Sequence, residues 1–336
     1  MADDVVKVIG CIACHINNND NDQILTLFSL CLRSILLQET RLDLLLISWS
    51  CEDKREQYLE LLLSEYKTAF ESKNIDFRIL YHTTALTQFQ HYSFIYQHLL
   101  EYIKEKVNNI WILFGDVDDI WDAHRVSFYK RHILLHTQEA EKVSVILPHW
   151  YFQCKTNEIP LEAPTEQALV DVWTNCSNVV RYHSDSTAPS SYRIRYTNVD
   201  NFDPDQGASF EYFQCCVKLL VLEHFFEQAR DDHLQSMYCD IAFGHYIDSL
   251  NSDSKLVISH LYDKNIDSSD IENWLYCKVG QNHSVQYGIT NSIEDTYNKK
   301  LSRTICAYFP ESREEVLQHI DLDDLNDPMS DTCRAF

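Results

Sequence analysis

The chain has 336 residues, 45% of them apolar and 12% aromatic, enough to bury a sizeable core as one large α/β domain or two ordinary ones. Its 28 Lys and Arg stand against 51 Asp and Glu, a formal net charge of −23, so its general field opposes nucleic acid and anionic membrane as partners. A local cation site remains open to such a chain, because clustered carboxylates bind divalent metals.

The six glycines exclude several nucleotide and hydrolase motifs. The closest two, Gly280 and Gly288, are eight residues apart, so no G-x-G-x-x-G, P-loop or G-x-S-x-G element exists. The twelve cysteines form no paired zinc framework, and Cys11–Cys14 is the one C-x-x-C. It lies in an apolar run, which favours reduced, buried thiols in a cytosol-like compartment. Met1-Ala-Asp-Asp is acidic where a signal peptide would be basic, and no window approaches a spanning helix. A cytoplasmic location and no transmembrane segment are therefore expected.

In chain order, Val5–Ala13 reads as a buried strand, followed by a polar turn at Asn17–Asp22. Gln23–Gln38 has a helical apolar period. Leu42–Ile47 is a second strand, and Lys54–Ser72 a helix with leucines on one face and charges on the other. Phe77–Tyr81 is a third strand, Gln88–Val107 a long helix, Ile110–Phe114 a fourth strand and Val143–Leu147 a fifth. This alternation predicts a mostly parallel sheet covered by helices on both faces. Residues 152–205 lose the rhythm and read as a loop-rich insertion, while helices are expected around 223–230 and 239–250. Residues 1–150 would form a ligand-binding half, 151–265 a second half of the same domain, and 266–336 a C-terminal extension.

Ligands in such sheets bind beyond the carboxyl ends of the strands. His15 and Asn17, Ser48, Ser50 and Asp53, and Asp116, Asp118 and Asp119 should therefore face one crevice. The informative segment is Ile110-Trp-Ile-Leu-Phe-Gly-Asp116-Val-Asp118-Asp119. An apolar strand delivers three carboxylates to the rim within four residues. Asp116 and Asp118, two apart, would point the same way in extended backbone. Hard oxygen ligands suit Mg²⁺ or Mn²⁺, which complete their shells with water and phosphate. A structural reading stands beside this one: Asp119 or Asp122 capping the next helix.

The segment from Ile112 to Arg125 resembles the D-x-D-D motif of family-2-type glycosyltransferases of the GT-A (Rossmann-like) fold. The resemblance implies that Asp116, Asp118 and Asp119 hold the metal and contact the donor's ribose and diphosphate, with Asp116 also meeting the nucleotide. Val8–Asn17 is similar to that family's first nucleotide-binding strand and loop, which places His15 there. Ile47–Asp53 stands at the family's D-D-x-S-x-D segment; Asp53 matches, and Ser48 takes the place of a base-contacting aspartate. Gln88 and His91 open the helix where the family has polar residues near the nucleotide. Gln235–Ile247 resembles the helix start that carries the general base, which implies that role for Asp240. Cys239 replaces the usual acid before it. Val257–Asp263 resembles the following strand, where His260 would reach the metal or diphosphate.

The implied function is metal-dependent transfer of a sugar from a nucleoside-diphosphate sugar, with inversion, to a glycan, glycoprotein or small-molecule acceptor. Tyr192, Tyr196, Tyr212, Phe213 and Trp150 would border the acceptor, although most aromatics are expected in the core. Two rivals remain: a haloacid-dehalogenase-like phosphatase with Asp116 as nucleophile, and a non-catalytic nucleotide-sugar or glycan-binding protein. Against the phosphatase, three strands precede the motif.

Overall fold

The structure, a computed structural model, describes residues 6–16, 24–52, 54–103, 109–139, 143–148, 150–156, 165–167, 169–170, 179–184, 194–196, 212, 215–235, 239–240, 242–244, 246–247, 257–261 and 275–279. Its centre is a seven-stranded sheet. The strands are β1 (Lys7–Ile16), β2 (Leu44–Cys51), β3 (Asp76–His82), β4 (Ile110–Asp116), β6 (Val143–Pro148), β10 (Cys216–Lys218) and β11 (Val257–Leu261), in the order β11-β6-β10-β4-β1-β2-β3. Only β10 runs against its neighbours, β4 and β6. The remaining pairings are parallel, as the strand–helix alternation predicts. β1 and β4 are buried almost throughout, in keeping with a sheet covered on both faces.

The helices α1 (Ile24–Leu36), α2 (Glu56–Ser72) and α3 (Gln88–Tyr102) follow β1, β2 and β3. α2 buries Leu59, Leu63, Tyr66 and Phe70, one stripe of an amphipathic helix. It ends in a Schellman turn: Ile75 N–H bonds Phe70 O and Asn74 N–H bonds Glu71 O. Asn74 takes the left-handed position there, with φ of 57°. α3 begins at a capping box, in which Thr87 Oγ1 accepts from Gln90 N–H at 3.3 Å and Gln90 Oε1 from Thr87 N–H at 2.9 Å. That box sets where the first turn of α3 starts, and this turn carries two site residues.

A second, five-stranded sheet has the order β5-β12-β7-β8-β9. It joins β5 (Asp119–Trp121), β7 (Trp150–Thr156), β8 (Val179–Ser184), β9 (Ile194–Tyr196) and β12 (Leu275–Val279). The expected loop-rich 152–205 stretch thus contributes β8, β9 and most of β7 to a sheet. β12, in the expected C-terminal extension, completes that sheet between β5 and β7. The large sheet likewise takes strands from both sides of residue 150.

The helix α4 (Arg125–Glu139) follows β5, and α5 (Leu219–Gln228) and α6 (Asp231–Leu234) follow β10. Gln38, buried at the end of α1, ties the first of these into place: its Nε2 donates to Asp122 O at 2.6 Å and its Oε1 accepts from Val126 N–H at 3.0 Å. Trp121 lies 1% exposed over the sheet. A Cβ on Gly115 would fall 2.6 Å from Trp121 Nε1, and one on Gly10 2.7 Å from Leu42 Cδ1, so glycine at these two strand positions makes room for the packed layer. Trp121 therefore serves as a packing residue of this layer.

The described cysteines Cys11, Cys14, Cys31, Cys51, Cys215, Cys216 and Cys239 form no disulfides. Cys11 and Cys14 sit three apart on β1, so strand periodicity sends them to opposite faces and they form no chelate. Burial pushes the Cys11 and Cys215 thiols up, which keeps them protonated. Among the described residues, no helix is long and apolar enough to cross a membrane.

Candidate active site

The order of β3-β2-β1-β4 reverses direction at β1 and β4, so a crevice opens beyond their carboxyl ends. The register puts Ala13 opposite both Ser48 and Asp116, and His15 opposite Ser50. The polar ends of β1, β2 and β4 therefore meet on one rim, as their positions in sequence imply. The two sides of that rim have different chemistry.

The β4 side is acidic. Asp116 ends β4, Val117 and Asp118 form a turn, and Asp119 begins β5. Asp118 is thus a turn residue, and the period of an extended strand does not set its direction, contrary to the sequence expectation. Asp116 and Asp118 are half-buried, whereas Asp119 is 1% exposed and its Oδ2 accepts from the Asp116 N–H at 3.4 Å. Asp119 thereby closes the turn. Asp122 Oδ1 accepts from His124 N–H at 2.8 Å, an Asx turn that leads into α4. The motif divides accordingly: Asp119 and Asp122 hold the backbone, and Asp116 and Asp118 remain at the crevice.

Both carboxylate oxygens of Asp116 are engaged. Gln88 Nε2, on the first turn of α3, donates to Oδ1 at 2.7 Å, and the Tyr212 hydroxyl donates to Oδ2. Gln88 Nε2 also reaches the Tyr212 oxygen at 2.8 Å. The Tyr212 ring is 2% exposed and packs on Phe89, Phe114 and Tyr92, with centroids 5.8–5.9 Å apart, so its hydroxyl is delivered from a rigid cage. Hydrogen bonds of this kind from neighbouring side chains are the usual support of a carboxylate that ligates a metal. The donor set therefore fits half of a hard-cation site whose other ligands are water and phosphate. Among the described residues, no group of three or more His, Cys, Asp or Glu is placed to hold a metal by itself. The carboxylates also act beneath the rim. Burial first, then Asp119, Asp118 and Asp116, drive the Cys31 thiol well up, and burial with Asp116 does the same to the Tyr92 phenol.

The β1–β2–β3 side is neutral. His15 Nδ1 meets Ser50 Oγ at 2.8 Å, and Ser50 Oγ meets His91 Nε2 at 3.1 Å. His91 Nδ1 meets Ser48 Oγ at 2.8 Å, which meets His82 Nε2 at 2.8 Å. Ser48, Ser50 and His91 are 0% exposed. Ser48 and His91, expected beside a nucleotide, lie behind the rim, and His15, half-buried, is nearer its edge. Burial first, then His82 and His15, pull the His91 imidazole down to about 3, and burial lowers His82 as well.

Gln88 and His91 are three apart on α3, so one helical turn holds both sides of the rim. Asp240 is half-buried in a segment with helical residues at 239–240, 242–244 and 246–247. His260 sits in β11, three strand spacings, about 14 Å, across the sheet from β4. The strand order does not bring it to the Asp116 side. Asp53 lies outside the described residues. Sequence reasoning missed the contact of Tyr212 with Asp116 and missed His82 altogether. The signal for His82 was its place at the carboxyl end of the third strand.

Among solved structures, the chain is similar to S. aureus TarS, at 12% identity over 96% of this chain and 42% of that one, with a TM-score of 0.47. It is also similar to S. aureus TarS 1–349 in complex with UDP, at 13% identity over 95% of this chain and 77% of that one, with a TM-score of 0.49. Mouse xyloside xylosyltransferase 1, in its apo form, aligns at 9% identity over 79% of this chain and 92% of that one, with a TM-score of 0.33. The chain thus spans less than half of the full TarS chain. No protein-family model matches it, and no curated protein does. At these values the chemistry of the site, not the likeness, has to carry a functional reading.

Proposed function

We propose that the chain is a metal-dependent glycosyltransferase of the GT-A type, moving a sugar from a nucleoside-diphosphate sugar to an acceptor hydroxyl with inversion. The observation that carries this reading is the Asp116–Asp119 turn: a carboxylate pair at the switch point of a parallel sheet, with Asp116 held by Gln88 and Tyr212. Asp116 and Asp118 would bind Mn²⁺ or Mg²⁺, which offsets the charge of a departing nucleoside diphosphate. His15 would lie beside the nucleotide, and Gln88 would keep Asp116 oriented.

Asp240 is the proposed base. Thr87, the cap of α3, donates to Leu234 O, and the Phe243 ring packs 5.6 Å from Phe89 and 5.7 Å from Phe114. The chain from 234 to 243 is thereby tied at both ends near the start of α3, and Asp240 lies between the ties. In the reaction the acceptor oxygen attacks C1 of the sugar as the bond from C1 to the diphosphate oxygen breaks. Asp240 takes the acceptor proton, and one displacement inverts the anomeric centre.

The test is a screen of UDP-, GDP- and dTDP-sugars with Mn²⁺ or Mg²⁺ and with EDTA, scoring released nucleoside diphosphate. One donor should react, and activity should be lost with EDTA and in Asp118→Ala, by roughly two orders of magnitude or more. Silence across all donors, with no thermal shift from any nucleotide plus metal, would overturn the proposal. Turnover of a phosphomonoester instead would favour the phosphatase.

A further inference from the structure

Five side chains from four elements make one unbroken hydrogen-bonded chain: His15 of β1, Ser50 of β2, His91 of α3, Ser48 of β2 and His82 of β3. Its four links measure 2.8, 3.1, 2.8 and 2.8 Å in that order. Each hydroxyl sits between two imidazole nitrogens and owns one hydrogen, so it donates to one and accepts from the other. His91 is 0% exposed, and both its nitrogens are engaged by hydroxyls. As a neutral imidazole it has one donor and one acceptor nitrogen.

These constraints leave two states. In one, His82 Nε2–H donates to Ser48, Ser48 to His91 Nδ1, His91 Nε2–H to Ser50, and Ser50 to His15 Nδ1. In the other, all four bonds reverse.

We propose that this chain is a tautomer relay, in which the protonation of His82 at the sheet edge sets which nitrogen of His15 carries its hydrogen at the crevice, and in which the two end histidines exclude each other's positive charge. A cationic His82 must donate through Nε2, which leaves His15 Nδ1 as an acceptor with its hydrogen on Nε2. A cationic His15 must donate through Nδ1 and drives the reverse state. If both were cationic, His91 would have to accept at both nitrogens, as an imidazolate, or one of the four bonds would break.

The charge passes between the ends with all hydrogens accounted for. The His82 Nε2 hydrogen moves to Ser48, the Ser48 hydrogen to His91 Nδ1, the His91 Nε2 hydrogen to Ser50, and the Ser50 hydrogen to His15 Nδ1. His82 ends neutral, His15 ends cationic and His91 changes tautomer. Titratable neighbours of His91 are His82 from β3 and His15 from β1. The His82 ring stands 5.5 Å from His91 and 4.5 Å from Phe94, both on α3. The relay lies on the rim of the proposed donor crevice but rests on these four bonds alone, so its test is independent of sugar transfer.

The experiment is imidazole NMR on the full, histidine-labelled chain, titrated from about pH 5 to about pH 8. His91 should stay neutral throughout. His15→Gln should raise the His82 pKa by about half a unit to one unit, the worth of one hydrogen bond. His82→Gln should raise the His15 pKa by the same amount, because coupling is reciprocal. Ser48→Ala should abolish both dependences by cutting one link while leaving the histidines in place. The relay is overturned by a His82 pKa indifferent to His15→Gln, by a coupling that persists in Ser48→Ala, or by a cationic His91 within the range.

Discussion

The two sides of the crevice are built by opposite means. The acidic side is one stretch of chain, in which four residues make a turn and two of its aspartates, Asp116 and Asp118, stay at the rim. The neutral side draws His15, Ser48, Ser50, His82 and His91 from four elements, and the buried His91 imidazole there stays uncharged. Charge on the first side can be tolerated because it lies where water or a ligand can reach it. On the second side a charge would be desolvated, so hydroxyls and neutral rings satisfy one another. One turn of α3 serves both, with Gln88 on the carboxylate and His91 in the hydrogen-bonded chain. The two walls can therefore be perturbed from the same helix and should respond differently.

The largest effect is expected from His91→Gln, which strands buried hydroxyls and should cost about 3 kcal/mol at neutral pH. Its pH dependence sharpens the contrast between walls. The folded-state pKa of His91 is lowered from 6.5 to about 3, so the unfolded chain binds the proton first as pH falls. The stability that neutral His91 contributes is present above about 6.5 and is lost toward about 3, by about 1.4 kcal/mol per pH unit. The glutamine variant lacks this loss, so urea midpoints measured from neutral to acid pH should converge. A gap that is constant with pH would mean that His91 is not held neutral.

Gly115→Ala comes next. It places a methyl 2.6 Å from Trp121 Nε1 and 2.9 Å from Ile12 Cδ1, and should cost about 2 kcal/mol by overpacking. Thermal melts should fall while the pH dependence of stability stays that of the parent chain, because neither wall changes its polar groups. A pH-dependent penalty would show that the packed layer under Trp121 and the neutral wall are coupled.

Tyr212→Phe is the smallest of the three. It removes one donor to Asp116 and keeps the ring in its cage of Phe89, Tyr92 and Phe114. The proposed function expects about tenfold weaker affinity for Mn²⁺ with a nucleoside diphosphate, read by calorimetry, and an unchanged melting temperature in the absence of ligand. Unchanged affinity would remove Tyr212 from the support of Asp116.

The same contrast explains how legible each part was. β1 to β4 and α1 to α3 were readable because buried parallel strands and amphipathic helices impose local periods on their own residues. The second sheet was not. β7 and β12 pair Cys154 with Cys277, a contact no local period encodes. α4 was anticipated only as the helix after Asp122, without its extent, since its start depends on Gln38 reaching across from α1.

By itself the sequence determined the mostly parallel sheet, the rim on which His15, Ser50 and Asp116 meet, and the acidic turn, because each follows from the local periods of short segments and from where parallel strands end. Tertiary structure alone decided that Asp119 is buried in the turn, that Gln88 and Tyr212 converge on Asp116, and that Ser48 and His91 lie behind the rim in a chain ending at His82. The last two are meetings of residues 28 to 96 positions apart, and burial and hydrogen bonding act on neighbours in space, which no reading along the chain can supply.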